Sequence, residues 1–163
     1  MAGSSNLKTI INLTPASKLS DMDKSKNTNK EERNKANYLA AKKAFNEKDI
    51  PACLEFYSVN HIVKSMPAEK GRHIIQYFFE TLHNTWGGLI ITVEHAVAED
   101  NWVMGRSIAT ATHNRPVMGV APTNKQITAS FWDLHLFDEE GLIIETWNLI
   151  DNAAIMKQIG LLP

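Results

Sequence analysis

Residues 126–150 read QITASFWDLHLFDEEGLIIETWNLI, and this stretch decides the fold. Two runs rich in β-branched and aromatic residues flank the polar segment 138–141, whose composition is typical of a tight turn. The pattern predicts two antiparallel strands, residues 126–137 and 142–150.

The register of this hairpin decides which side chains share a face. If residues 138–141 form the loop, Phe137 pairs with Leu142 and Asp133 lies opposite Thr146. One face then mixes polar and apolar groups, and its members are Phe131, Asp133, His135, Ile144, Thr146 and Asn148. The other face is mostly apolar and carries Trp132, Leu134, Leu136, Ile143, Glu145 and Trp147. An apolar wall with a few converging polar groups is typical of ligand pockets, so the first face is predicted to line one.

The rest of the chain supplies helices before the strands and one helix after them. Helical spacing predicts helices over residues 51–56, 71–83 and 152–159, and alternation predicts strands over residues 89–97 and 102–112. Thr28 and Glu31 have the spacing of a capping box, which predicts the start of another helix that ends near residue 47. Helices followed by meandering strands indicate an α+β fold, with a curved antiparallel sheet closed on one face by N-terminal helices. The polar residues 1–29 are predicted to be a flexible arm, and residues 30–163 the domain.

Composition narrows the function classes. The chain has 163 residues, of which 44% are hydrophobic, and its formal net charge of -1 gives no field that would attract nucleic acid or an anionic membrane. No run of about 20 apolar residues is present, and no signal pattern is visible, so a cytoplasmic protein is expected. The single cysteine, Cys53, is predicted to be a buried inert thiol, and the spacing of the histidines predicts no metal site.

Asp133 is the central candidate for chemistry because carboxylates are rarely buried unless they are paired. It is either an acid or base in the pocket or the partner of Arg106 in an ion pair. Arg106 could instead hold an anionic group of a substrate. Asn148 can orient a carbonyl or hydroxyl group through hydrogen bonds, or it can serve as a core amide.

Two further residues have alternative readings. His113 ends a predicted strand and is a second candidate acid or base, since an imidazole can titrate near neutral pH. Asp151 precedes the last helix, where it is expected to be an N-cap, and it is also a candidate for substrate binding.

The apolar second face of the hairpin predicts a homodimer, because large apolar patches seldom stay exposed to water.

The segment from Arg106 onward resembles the SnoaL-like polyketide cyclase family, within the nuclear-transport-factor-2-like superfamily. The resemblance is carried by Gly119-Val120-Ala121-Pro122-Thr123-Asn124-Lys125, by Glu145 and Trp147 with Asp151, and by Gln158-Ile159-Gly160. It implies a cone-shaped barrel around a pocket for a small hydrophobic carbonyl compound. It also implies acid–base aldol cyclisation, or a related isomerisation or hydrolysis, without metal or cofactor.

The resemblance also locates a departure from the family. Characterised cyclases carry an aspartate one residue after the position of Trp147, and this chain has Asn148 there. Asp133 is then the remaining pocket carboxylate, with Phe131, His135 and Thr146 beside the substrate. The alternative function is a non-catalytic dimer that binds a small ligand, or a scaffold that binds a partner.

Overall fold

The computed structural model describes the backbone of residues 16–65 and 70–163, with the side chains of residues 16–25 left out. Its elements follow in the order α1 (Ala16–Asn46), α2 (Ile50–Leu54), β1 (Tyr57–Val63), α3 (Arg72–Thr85), β2 (Gly87–Glu99), β3 (Trp102–Thr112), β4 (Gln126–Phe137), β5 (Ile143–Ile150) and α4 (Asn152–Ile159). The predicted α+β class is confirmed.

The sheet has the strand order β1-β5-β4-β3-β2. The four later strands form an antiparallel meander, but β1 runs parallel to β5 at the edge of the sheet. The sheet is therefore mostly antiparallel, as expected, with one parallel edge strand, and β1 is a strand that the sequence pattern did not indicate. Polar residues such as Ser58 and Asn60 interrupt it, and its partner strand lies more than 80 residues away in the chain.

Helix α1 begins earlier than the capping-box spacing predicts. Residues 16–29 of the predicted flexible arm are helical, whereas residues 1–15 lie outside the described part of the chain. Thr28 and Glu31 lie inside the helix rather than in its first turn, and Glu31 Oε1 accepts hydrogen bonds from the backbone N–H of Asp100 and from the side chain of Asn27. The start predicted at Thr28 is wrong, and the domain boundary at residue 30 stays a prediction.

Helix α1 is held across the concave face of the sheet at two points. Near its middle, Arg33 and Asn37 donate to the backbone oxygens of Glu139 and Gly141 in the β4–β5 turn. At its end, the Asn46 side chain exchanges two hydrogen bonds of 2.8 Å with the backbone of Ile91. The buried residues between these anchors, such as Tyr38 and Phe45, therefore face the inside of the curved sheet.

The register of the β4–β5 hairpin differs from the predicted one. Phe137 pairs with Ile143 rather than Leu142, and a bulge at Ile144 then places Asp133 directly opposite Asn148. A shift of one residue would exchange the two faces, but the extra residue in the bulge restores them. The predicted pocket face is thus kept, with Ile143 instead of Ile144 buried at its end.

Within residues 16–65 and 70–163, no helix is long and apolar enough to cross a membrane. The cytoplasmic location stays a prediction.

Candidate functional site

A cavity of about 140 Å³ lies between α1, α3 and the concave face of the sheet. Apolar side chains form most of its lining, including Phe45 of α1, Phe78, Phe79 and Leu82 of α3, and Ile127 of β4. An apolar cavity of about 150 Å³ accommodates a benzene ring, so this space suits one small ring.

Polar groups converge on one wall of the cavity. Asp133 and His135 of β4, together with Thr146 and Asn148 of β5, line it, and Lys42 of α1 faces them. Among the described lining residues, Lys42 and Asp133 carry the formal charges, and they form an ion pair. The cavity wall is therefore polar and close to neutral.

Asp133 is buried and surrounded by donors. The Lys42 ammonium binds Oδ2, the Tyr38 hydroxyl donates to Oδ1 at 2.9 Å, and His135 Nε2 lies 3.3 Å from Oδ2. Burial alone would raise the pKa of this carboxyl, but Lys42 and His135 outweigh that effect and hold the pKa well below its usual value. Asp133 is consequently a carboxylate at neutral pH.

Gly105 of β3 makes this arrangement sterically feasible. It pairs with Asp133 across the sheet, and a Cβ at this position would lie 1.9 Å from the Tyr38 hydroxyl and 2.8 Å from Asp133 Oδ1. The absence of a side chain allows Tyr38 to reach across β3 to the carboxylate.

Three predicted site residues lie elsewhere. The first is Arg106, whose guanidinium pairs with Glu94 of β2. Because Gly105 is the residue opposite Asp133, side-chain alternation sends Arg106 to the other face of the sheet. The predicted contacts of Arg106 with Asp133 or with a ligand in the cavity are wrong.

His113 is buried at the end of β3, but it is not part of the cavity lining. Its ring Nδ1 lies 3.0 Å from the Thr123 hydroxyl, and its backbone bonds to Asn124 and Lys125. These contacts fasten the two ends of the loop between β3 and β4. The structure supports a structural role for His113 and does not place it beside Asp133 for acid–base chemistry.

Asp151 is an exposed N-cap of α4, and its carboxylate accepts from the backbone N–H of Ala154 at 2.9 Å. The N-cap expectation is confirmed, and the candidate role in substrate binding does not fit, since Asp151 does not line the cavity.

Lys42 is the site residue that sequence reasoning missed. Tyr38 and Phe45 are buried, and Lys42 lies between them on the same side of α1 at helical spacing. A lone lysine on such a face usually directs its ammonium to water. The signal that could have identified it is the buried Asp133, which needs a cation on the element packed against its strand.

The chain was compared with known proteins on this basis. Residues 35–159, which cover the C-terminal part of α1, all later helices and strands and every cavity residue named above, match the sequence profile of the SnoaL-like polyketide cyclases. The chain belongs to the SnoaL-like polyketide cyclase family. A search of curated proteins gives no match.

Solved structures share this SnoaL-like fold at low sequence identity. AclR of Streptomyces galilaeus, described as "a putative hydroxylase", is 23% identical with a TM-score of 0.73, over 82% of this chain and 88% of that one. IdmH of Streptomyces antibioticus, "a putative polyketide cyclase", is 21% identical with a TM-score of 0.70, over 78% of this chain and 98% of that one. A SnoaL-like protein of Jannaschia sp. CCS1 is 22% identical with a TM-score of 0.71, over 82% and 95%. Because such similar structures carry different activity names, the fold alone does not select a reaction.

Proposed function

We propose that the protein binds a small hydrophobic carbonyl compound in the cavity and performs an acid–base reaction on it without a cofactor. The observation that carries the proposal is the Lys42–Asp133 pair, which lies with Asn148 on one wall of an otherwise apolar cavity. Apolar walls with a few fixed polar groups orient a ligand whose carbonyl oxygens need donors.

The roles in this reaction follow from the chemistry of the side chains. Asp133 takes the proton from the carbon beside a carbonyl, while the Asn148 amide and the Lys42 ammonium donate to the oxygen that becomes an enolate. In an aldol closure the enolate carbon bonds to a second carbonyl carbon, and Lys42 gives a proton to the new alkoxide. The proton on Asp133 then returns to the Lys42 amine, which restores the ion pair.

The low pKa of Asp133 limits which substrates fit this proposal. A carboxylate that is strongly stabilised as an anion is a weak base, so it can remove only an acidic proton at a useful rate. Carbon between two carbonyl groups has such a proton. The proposal therefore favours a 1,3-dicarbonyl compound over a simple ketone.

The second candidate is a non-catalytic protein that binds the same class of ligand. Two observations favour it: Asn148 stands where characterised cyclases of the family carry an aspartate, and Asp133 is engaged by Lys42, Tyr38 and His135. In this reading the ion pair is a hydrogen-bonding anchor and no proton leaves the ligand.

Deuterium exchange separates the two candidates. Ethyl 2-benzylacetoacetate carries one aromatic ring and one proton between two carbonyls, and the loss of that proton in D₂O is followed by NMR. The first candidate predicts faster exchange with the wild-type protein, loss of that acceleration in Asp133→Asn, and a gain in Asn148→Asp, since two facing carboxylates raise the pKa of one of them. Binding without acceleration supports the second candidate, and no binding contradicts both.

We further propose that two copies associate through the convex face of the sheet. Val97, Met104, Leu134 and Trp147 lie side by side across four strands there, and Val97 is 63% exposed. A patch of this kind favours a self-complementary interface. Sedimentation equilibrium should give a dimer for the wild type and a monomer for Met104→Lys, with Tyr77→Lys, an exposed position on α3, as the control. A wild-type monomer would contradict the proposal.

A further inference from the structure

A line of buried polar contacts leads away from the Asp133 carboxylate through His135. His135 Nε2 lies 3.3 Å from Asp133 Oδ2, His135 Nδ1 lies 2.8 Å from the Thr146 hydroxyl, and that hydroxyl lies 2.9 Å from His61 Nε2. All four residues are at most 2% exposed. Buried polar groups are expensive unless they satisfy one another, so this line must be internally consistent.

Three strands build the line. His135 and Thr146 are direct cross-strand partners in β4 and β5. The parallel strand β1 pairs with β5 at Val63 and Thr146, and His61 lies two residues before Val63 on the same face. The edge strand that sequence analysis missed is thus the element that brings His61 to the site.

The donors and acceptors along the line have a single consistent direction. Asp133 is an anion, so the adjacent His135 nitrogen must carry the proton, although this contact is too poorly aligned for a regular hydrogen bond. His135 Nδ1 is then an acceptor and takes the Thr146 hydroxyl proton. The Thr146 oxygen must in turn accept from His61 Nε2–H. These ring protons are assigned from the hydrogen-bond network.

Both rings are neutral at neutral pH, as this assignment requires. Burial lowers the pKa of His61 to about 4, and the neighbouring His135 adds to the effect. Burial also lowers the pKa of His135, against the opposing influence of Asp133. His61 Nδ1 is buried without a hydrogen-bond partner among the described residues, which leaves it as the accepting end of the line.

We propose that Thr146 and His61 are positioning residues, which orient the His135 ring so that its Nε2–H stays against the Asp133 carboxylate. Thr146 fixes the ring by donating to Nδ1, and His61 fixes the Thr146 hydroxyl by occupying its oxygen. Asp133 Oδ2 thereby keeps a second donor, besides Lys42, while Asp133 is the carboxylate that takes the proton. The consequence for the reaction rests on the proposed function, but the orientation of the ring does not.

NMR of the histidine rings in the full chain tests the orientation directly. The wild-type protein should show protonated Nε2 and unprotonated Nδ1 in both rings, with a downfield proton signal for His135 Nε2–H beside the carboxylate. Thr146→Val keeps the shape of the side chain but removes the hydroxyl, and it should lose that downfield signal. Thr146→Ser restores a hydroxyl and should recover it.

The outcomes that overturn the proposal are equally specific. A proton on Nδ1 of either His61 or His135 in the wild type contradicts the direction of the line. An unchanged downfield signal in Thr146→Val shows that Asp133 alone orients the ring. If Thr146→Val does not fold, His61→Leu, which removes the donor to Thr146, must weaken the same signal, with His61→Gln as the variant that keeps a donor.

Turnover gives a second readout. Where the wild type accelerates the exchange of ethyl 2-benzylacetoacetate, Thr146→Val should lower kcat about tenfold with little change in KM, as expected for loss of one orienting hydrogen bond. A change confined to KM would mean that Thr146 acts on the ligand instead. If the wild type shows no acceleration, the proposed function fails while the NMR signals still decide the role of Thr146 and His61.

Discussion

Replacing Lys42 with methionine removes the cation from the Asp133 carboxylate while keeping an unbranched side chain in the cavity wall. Breaking a buried ion pair from one side costs about 3–5 kcal/mol, since the remaining charge is left uncompensated. The Lys42 side chain is 13% exposed, and Tyr38 and His135 still contact the carboxylate. We therefore expect a loss of about 3 kcal/mol, at the lower end of that range.

The pH dependence of the stability lost in Lys42→Met shows whether the uncompensated charge of Asp133 is its cause. In the wild type the lowered pKa of Asp133 contributes stability that is present above the usual aspartate pKa of 3.8 and is lost as the pH falls through the folded-state value. Without Lys42, burial dominates and raises the pKa. Protonation then relieves the buried charge, so the deficit of Lys42→Met relative to wild type should shrink as the pH is lowered from 8 to 5.

Urea unfolding followed by tryptophan fluorescence measures both quantities. The matched control is Lys42→Met combined with Asp133→Asn, which replaces the pair by a thioether and an amide of similar shape. This double variant should recover most of the stability that Lys42→Met loses. Its remaining difference from the wild type in free energy of unfolding should not shrink as the pH is lowered. If Lys42→Met alone has the same free energy of unfolding as the wild type at pH 7, and the same pH dependence, Lys42 does not compensate a buried charge.

Three other perturbations test the surroundings of the site. Gly105→Ala should displace the Tyr38 hydroxyl and cost about 1–3 kcal/mol in urea unfolding, because the added Cβ would lie 1.9 Å from that oxygen. His61→Gln should flatten the pH dependence of stability. In the wild type up to about 3 kcal/mol is lost as the pH falls from 6.5 to about 4, because the unfolded ring binds a proton that the folded ring excludes. Asp151→Ala should cost about 1 kcal/mol of stability through loss of the N-cap and leave binding of ethyl 2-benzylacetoacetate unchanged.

Each of these has its own control. The Gly105→Ala penalty should be smaller in a Tyr38→Phe background, where the hydroxyl is gone, and equal penalties would contradict the steric explanation. A His61→Gln protein that loses as much stability in acid as the wild type would assign the proton uptake to another group. Asp151→Ser keeps a capping oxygen and should stay close to wild type, whereas weaker ligand binding by Asp151→Ala would return Asp151 to the site.

The shared face of Asp133 and Asn148 could be predicted because side chains alternate along strands. The predicted pairing was nevertheless displaced, since the loop is one residue longer than assumed and Ile144 forms a bulge. The longer loop alone, or the bulge alone, would turn the side chains of β5 to the opposite faces of the sheet. Together they return each side chain to its predicted face. A bulge arises from packing against neighbouring strands and has no local signal in the stretch around Ile144.

The partners of Asp133 could not be read from the sequence for a different reason. Arg106 was considered because it is a basic residue on a neighbouring strand, but the register of β3 against β4 places Gly105 there instead. Lys42 and Tyr38 come from a helix about 90 residues earlier, and only the anchoring of α1 across the sheet brings them to the carboxylate. Contacts between elements that distant depend on docking geometry, which periodicity does not contain.

The proposed function depends on binding of a carbonyl compound by the cavity wall that Lys42, Asp133 and Asn148 form. A crystal structure of the protein with ethyl 2-benzylacetoacetate tests it most directly. We expect the benzyl ring among the aromatic side chains of α3, such as Phe78 and Phe79, and a carbonyl oxygen within hydrogen-bonding distance of Lys42 Nζ or the Asn148 amide. A ligand bound elsewhere, or one whose carbonyls point away from that wall, would contradict it.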